Sequence, residues 1–261
     1  MQTTAIIQAR MGSHRLPGKV LMPLAGRPVL WHVINRLKYS QKINVIVVAT
    51  TGEIIDDAVV KLCEDNGVPY FRGSEDYVLD RYYQAAKIFN ADPIVRITAD
   101  CPAIDPQIVD EVVEGFLKGN YDIYGLTGEF PDGLDCTVFS FRALEDAWKN
   151  AMLPSEREHV CPYMGSHPEK FKNGGYEKFK GMGSYRWTLD TAEDYEFLCE
   201  VFSRLYREDS LFLTNDIFKL LEMEPHLLQI NRHIVRNEGY MKSLDNDKKF
   251  LNSVHKEKRG F

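Results

Sequence analysis

The chain has 261 residues, 44% of them hydrophobic and 27% charged, a balance that excludes disordered, collagen-like and fibrous classes and is enough for a sizeable core. Lysine and arginine number 32 against 38 aspartates and glutamates, so the net charge is -6, no nucleic-acid partner is expected, and any anion site must be local. No window approaches the roughly 20 apolar residues needed to span a bilayer, and the short apolar stretch at the start reaches Arg10 with no basic segment before it, so we expect a cytoplasmic protein without a membrane partner.

Strand-length apolar runs alternate with helix-period segments. Thr4 to Arg10 reads as a strand, and Pro28 followed by Leu30, Val33, Ile34 and Leu37 as a helix with proline in its first turn. Val45 to Thr50 is a continuous apolar strand of the kind covered on both faces in a parallel sheet. A helix over 54–66, a short strand over 69–72, a helix over 76–89, a long strand over 93–100 and a helical stripe through Val109, Val112, Val113 and Phe116 follow. This order implies an α/β fold, a Rossmann-like doubly wound, mostly parallel sheet whose ligands sit beyond the carboxyl ends of the strands.

Between 121 and 185 the rhythm breaks. Short strands over 121–126 and 136–141, helices after Arg142 and at Pro154, and glycine-rich stretches near Gly174 and Gly181 suggest an inserted α+β region carrying substrate or dimer contacts. Tyr185 to Asp190 returns to strand character, and Thr191-Ala-Glu-Asp194 caps a helix whose inner face carries Leu198, Val201, Phe202 and Leu205. We expect one domain over residues 1–241 and a polar, frayed tail over 242–261. Five cysteines, widely scattered and never in a CxxC pair, argue against a disulfide framework and a structural zinc site.

The sharpest feature is Gln8-Ala-Arg-Met-Gly-Ser-His-Arg-Leu-Pro-Gly-Lys19, a strand end running into a loop that carries Arg10, Arg15 and Lys19. Three cations there suit a polyphosphate, and glycine amides such as that of Gly12 can add a nest. A surface turn with solvated charges is the other reading. Val20 after Gly18-Lys19 excludes a Walker A loop, and the spacing is not GxGxxG. Asp100 closes an apolar strand, where a carboxylate faces the ligand crevice and can hold Mg²⁺. Asp190 repeats that geometry, although on its own it reads as a helix N-cap. Cys101 has no evident base partner, which argues against a thiolate nucleophile.

Gln8 to Ser13 with Arg15 to Lys19, Arg72-Gly-Ser-Glu-Asp-Tyr-Val-Leu-Asp-Arg-Tyr-Tyr83, Arg96-Ile-Thr-Ala-Asp-Cys-Pro102, Asp132-Gly-Leu-Asp135, Arg157-Glu-His159 and Arg186-Trp-Thr-Leu-Asp-Thr191 together resemble the spore-coat polysaccharide biosynthesis proteins of the acylneuraminate and 3-deoxy-manno-octulosonate cytidylyltransferase group. The match runs in order from residue 6 to about residue 200. It implies a nucleotide-diphospho-sugar transferase fold, CTP as donor, Mg²⁺, and transfer of CMP to an acidic sugar with release of pyrophosphate. On this resemblance Gln8, Ala9, Arg10, Gly12, Ser13, Arg15 and Lys19 belong to the nucleotide site, with Arg10, Arg15, Lys19 and Asp100 carrying the chemistry. Gly73, Ser74, Asp80 and Arg81 look like part of the nucleoside pocket, and Asp100 and Asp190 like the metal-side aspartates. Ala99 departs from the glycine expected before the metal aspartate.

For the acceptor we expect Asp132, Asp135, Glu156, Arg157, His159 and Arg186, with Arg157 or Arg186 taking the sugar carboxylate. Tyr185 and Trp187 share a strand face and are expected to pack. A homodimer through 121–185 is expected from the resemblance. A sugar 1-phosphate acceptor remains an alternative, as do a glycosyltransferase, against which Thr98-Ala-Asp100 lacks the Asp-x-Asp pair, and a non-catalytic nucleotide-binding protein.

Overall fold

The structure is a computed structural model that describes residues 2–259, with side chains through residue 253. Strand β1 (Thr4–Gln8) leads through the loop 9–18 and a small ribbon, β2 (Pro23–Leu24) with β3 (Arg27–Pro28), into α1 (Val29–Leu37). Then come β4 (Val45–Thr51), α2 (Asp57–Asp65), β5 (Tyr70–Gly73), α3 (Val78–Ile88) and β6 (Ile94–Thr98). Helix α4 (Pro106–Gly119) starts where Asp105 accepts from Gln107 N at 2.9 Å and Pro106 fills the first turn. The second half holds β7 (Ile123–Leu126), β8 (Thr137–Phe139), α5 (Phe141–Asn150), α6 (Pro154–His159), α7 (Pro162–Ser166) and β9 (Asn173–Tyr176). Helices α8 (Ala192–Leu205), α9 (Thr214–Met223) and α10 (Glu238–Arg259) close the described chain.

Seven strands form one sheet in the order β5-β4-β1-β6-β8-β7-β9. All neighbours are parallel except β8, which is antiparallel to β6 and β7. Ala5 and Ile7 of β1 face the core with Val33 of α1, Val109 of α4 and Leu198 of α8, whereas Ile6 faces a second core with Leu79 of α3 and Leu144 of α5. Burial on both faces is why β1 and β4 are apolar without alternation. The chain winds outward from β1 through β4 to β5 and then crosses to β6 on the other side of β1. That reversal opens a crevice between the carboxyl ends of β1 and β6.

Three expectations differ from the structure. Residues 121–185 supply β7, β8 and β9 to the central sheet itself; the rhythm breaks because β8 reverses direction, and an antiparallel pair needs no crossover helix. Residues 185–190 form no sheet strand: Trp187 N donates to Asp132 O and Leu189 N to Asp100 O, both at 2.8 Å, so this extended segment bonds to the site loops. From Lys242 to Arg259 the tail is helical, with Ser243 and Asp247 buried and Ser155 N donating to Asp247 Oδ1 at 2.9 Å, and its last two residues lie outside the described ones. Its docking uses polar groups, so no apolar stripe announced it.

Candidate active site

The loop leaving β1 is tied by its own backbone. Ser13 N and Gly18 N both donate to Met11 O at 2.9 Å, and Met11 N donates to Asp56 Oδ1 at 2.6 Å. Gly18, at φ +72°, turns the chain so that Lys19 points inward, 8% exposed. There its ammonium donates to Asp100 Oδ2 at 2.7 Å, Asp190 Oδ1 at 2.8 Å and Leu189 O at 2.8 Å, using all three of its donors. Burial opposes the charge on Lys19, but the two aspartates raise its pKa above the usual lysine range. Burial likewise opposes the charge on Asp100, yet Lys19 holds its carboxyl down at about 2.

Asp190 is free for this role because Thr191 is the true cap of α8: its hydroxyl accepts from Asp194 N at 3.3 Å, and Asp194 Oδ2 accepts from Thr191 N at 3.1 Å. Asp190 also accepts from Arg15 at 2.8 Å and Arg186 at 3.0 Å. Arg186 is buried and forks onto Asp194 at 2.8 Å through two nitrogens while a third pairs with Asp132. Four of its five N–H donors are thus taken by three carboxylates, so it offers no free fork for a sugar carboxylate, contrary to expectation. Gly133, at φ +109°, lets this turn approach, since a Cβ would lie 2.7 Å from Thr188 N.

Asp132 is pushed up to about 7 by burial and the neighbouring Asp135, against the pull of Arg186. A raised carboxyl pKa means the folded chain holds a proton that the unfolded chain has released. This stabilisation is full below about 3.8, declines as pH rises, and is gone above about 7. Asp132→Asn is expected to flatten the fall in unfolding free energy between those limits, read by urea denaturation across pH. An unchanged slope would remove Asp132 as the proton holder.

Two cavities meet at Asp100 and Asp190. One, of about 450 Å³, is lined by Gln8, Ala9, Arg10, Ser13, Arg15, Lys19 and Arg81. The other, of about 600 Å³, is lined by Asp132, Asp135, Thr98, Thr137, Asn173 and Arg96. Gln8 and His159 border both. Burial, against the pull of Glu158, lowers the His159 pKa and so favours the neutral ring.

Several expected residues stand elsewhere. Gly12 and Gly73 line neither cavity; Gly73 makes room for Arg81, whose Cγ would lie 3.2 Å from an added Cβ. Ser74 O accepts from Arg81 Nη1 at 2.8 Å, which places Ser74 behind the site. The Asp80 carboxylate is taken by Trp148 Nε1 at 2.8 Å and Gln84 at 3.1 Å. Glu156 accepts from Met152 N at 2.9 Å and Leu153 N at 3.0 Å, fastening the start of α6. Arg157 lies over the Tyr77 ring, 5.7 Å from its centroid, outside both cavities. Trp187 is buried against Phe218 with ring centroids 5.7 Å apart, so it packs. Cys101 is buried with its thiol pKa raised by that burial, no nucleophile.

Sequence reasoning missed the α10 side chains Lys242, Ser243 and Asn246, which wall the smaller cavity, and it assigned no role to Arg96. A lone cation inside the apolar run Ile94-Val-Arg-Ile was the available signal.

The donor set fits a hard divalent cation. Asp100, Asp190 and the Leu189 carbonyl converge on the point held by the Lys19 ammonium, all through oxygen. Among the described residues no three His, Cys, Asp or Glu side chains converge, so phosphates and water would have to supply a cation's remaining ligands. No helix of the described residues is long and apolar enough to cross a membrane.

A family model described as cytidylyltransferase matches residues 4–232. The chain is 42% identical over 247 residues to an uncharacterized protein of Methanocaldococcus jannaschii, covering 92% of this chain and 98% of that one. It is 34% identical over 214 residues to the spore coat polysaccharide biosynthesis protein SpsF of Bacillus subtilis, 76% of this chain and 85% of that one. An 8-amino-3,8-dideoxy-manno-octulosonate cytidylyltransferase of Shewanella amazonensis is 32% identical over 195 residues, 72% and 75% of the two chains. Among solved structures, a cytidylyltransferase from Leptospira borgpetersenii superposes with a TM-score of 0.84 at 38% identity, covering 90% of this chain and all (100%) of that one. With the switch-point crevice, the cationic loop and the paired aspartates already in place, this coverage assigns the chain to the cytidylyltransferase family, as a CTP-dependent nucleotidyltransferase.

Proposed function

We propose that the enzyme transfers CMP from CTP to an acidic sugar of the nonulosonic or 3-deoxy-octulosonic type, releasing pyrophosphate, for surface or spore-coat polysaccharide synthesis. The observation that carries this reading is the meeting of two cavities at Asp100 and Asp190, one bordered by Arg10, Arg15 and Lys19, the other by acids, threonines and an amide suited to a polyol. The relatives named for polysaccharide synthesis and for an octulosonate cytidylyltransferase support the acceptor class.

On this reading the triphosphate lies along the loop 9–18, and Arg10 and Arg15 take charge from the departing pyrophosphate. Arg10 is already held 3.7 Å from Glu75, and Arg15 3.3 Å from Glu238 at the start of α10, both partly exposed pairs that a polyphosphate can outcompete. A sugar hydroxyl from the larger cavity attacks the α-phosphorus in line: the new oxygen–phosphorus bond forms, the bond to the β-phosphate breaks, and the hydroxyl proton leaves to water. Asp100 and Asp190 would hold Mg²⁺, which supplies charge neutralisation on the phosphates. Homodimerisation through residues 121–185 and a cytoplasmic location complete the proposal.

The test is pyrophosphate release by the purified protein with Mg²⁺, pairing CTP, UTP, GTP or ATP with 3-deoxy-manno-octulosonate, its 8-amino analogue, N-acetylneuraminate and sugar 1-phosphates. Release is expected only with CTP and a keto-sugar acid, and Asp100→Ala is expected to slow it by at least about 100-fold. Turnover of sugar 1-phosphates alone would overturn the acceptor class.

A further inference from the structure

Arg96 sits at the third position of β6, between Ile94 and Thr98 on one face of the sheet, while Val95 and Ile97 face the opposite core. The parallel register sets Ile6 beside Arg96 and Gln8 beside Thr98, and on the antiparallel side Thr137 of β8 stands opposite Arg96, followed by Gly125 of β7. Thr98, Arg96, Thr137 and Gly125 thus make a polar floor in the middle of the sheet, and all four line the larger cavity. Gly125 keeps the floor open, since a Cβ there would lie 3.1 Å from Cys136 O and 3.2 Å from Thr137 Oγ1.

An arginine at that position is costly unless something answers it. Its guanidinium has five donors and stays charged at any working pH, yet among the described residues no backbone or side-chain acceptor bonds it, and its Nε is buried without a partner. Burial works against its charge, and Cys161, Tyr82, Asp135 and Asp100, in that order, offset it without a bond or ion pair to it. The other arginines near the site are engaged: Arg186 by three aspartates, Arg15 by Asp190 and Glu238, and Arg81 by Ser74 O. A half-buried guanidinium with no bonded acceptor and its Nε orphaned, in a concave polar cavity, matches a planar carboxylate, which accepts two parallel N–H bonds from it.

Resting on the acidic-sugar reading above, we propose that Arg96 is the residue that reads the acceptor's carboxylate, making it the determinant that admits keto-sugar acids and rejects neutral sugars. Asp135 and Thr137 on the neighbouring wall then face the sugar's hydroxyl or amino substituents, which suits an acceptor that is acidic at one end and polar along its length.

The experiment compares 3-deoxy-manno-octulosonate with its carboxamide as acceptors for wild type, Arg96→Met and Arg96→Lys, at saturating CTP. Wild type is expected to prefer the acid. Arg96→Met is expected to raise KM for the acid by about 10- to 100-fold and to erase the preference over the amide, because one charge-assisted pair is lost. KM for CTP and the rise in melting temperature on adding CTP should stay at wild-type values, and Arg96→Lys, which keeps the charge without the fork, should fall between. If Arg96→Met does not fold, Arg96→Gln carries the same comparison. A retained preference for the acid in the folded variant overturns the assignment of Arg96 while leaving the acceptor class intact. Wild-type turnover of sugar 1-phosphates but of neither octulosonate overturns both.

Discussion

Replacing Lys19 with methionine is expected to abolish turnover and to make the stability of the fold respond to divalent cation. Among the described residues Lys19 is the only cation in bonding distance of Asp100, whereas Asp190 keeps Arg15 and Arg186. Removing the ammonium leaves Asp100 and Asp190 converging on an empty point, and breaking a buried pair in this way costs about 3–5 kcal/mol. Asp100 lies well below its ordinary pKa because of Lys19, so its contribution to wild-type stability is present above about 3.8 and lost as pH falls toward about 2. In the variant that contribution disappears and the carboxyl rises with burial. Differential scanning calorimetry should show a lower melting temperature for Lys19→Met that climbs with added Mg²⁺ more steeply than wild type. The double variant Lys19→Met with Asp100→Asn should recover stability without Mg²⁺ and lose the response. If Lys19→Met melts like wild type and ignores Mg²⁺, neither the ion pair nor the two-carboxylate cation site is sound. Turnover should fall by about 1,000-fold or more, since the variant loses both a transition-state charge and the partner that positions two aspartates.

The parallel half of the fold was legible because its physics is local. β1 and β4 are buried on both faces, so each reads as a continuous apolar run, β6 does so apart from Arg96, and α1, α4 and α8 show their inner faces in the helical period. The second half was harder, because its strands are short and one runs backwards. β9 is Asn-Gly-Gly-Tyr, the poorest strand composition in the sheet, and its glycines are there for space: a Cβ at Gly174 would lie 2.4 Å from Tyr121 Cε1, and at Gly175 2.1 Å from Thr127 Cγ2. Residues 185–190 have strand composition and bond instead to the Asp132 and Asp100 loops, a tertiary choice that no periodicity encodes. Helix α10 carries few apolar residues and docks through Ser155 on Asp247 and His159 on Ser243. A polar tail and a polar docking helix look alike until the partner is present.

Within the site, the contributors that lie at strand ends were readable from position alone. Gln8, Asp100 and the loop between Arg10 and Lys19 follow β1 and β6 directly, and the switch point puts them on one crevice. What sequence does not reveal is which charged group is already spent. Arg186 and Arg96 are both arginines in short extended segments, and only the structure distinguishes the one engaged by three aspartates from the one left without an acceptor. The same holds for Glu156 and Asp80, carboxylates in recognisable motifs that are consumed by Leu153 N and Trp148.

Arg186→Met is expected to be strongly destabilising. Arg186 is 7% exposed, its guanidinium is shared by Asp132, Asp190 and Asp194, and Asp194 is fully buried. Burial works against the charge on Arg186, and these three carboxylates more than offset it, raising its pKa. With the arginine gone, Asp194 still accepts from Asn231, Asp190 N and Thr191 N, and Asp190 keeps Lys19 and Arg15. Asp132 is left with no cation bonded to it and with Asp135 nearby, so the loss concentrates there, about 3–5 kcal/mol of a total that is typically only about 5–15. At this size that is a fall in melting temperature of roughly 10 °C. Arg186→Lys should recover only part of it, because one ammonium does not span three carboxylates. The pH dependence separates charge from packing. Asp132 already titrates near 7 in the intact cluster and rises further without Arg186, so a protonated Asp132 masks the defect in acid and an ionised one reveals it in base. The deficit of Arg186→Met relative to wild type should therefore be larger at pH 8 than at pH 5.5, and adding Asp132→Asn should narrow it at pH 8. Equal deficits at both pH values would mean that the arginine acts through the packing of its stem and not through the carboxylates it gathers.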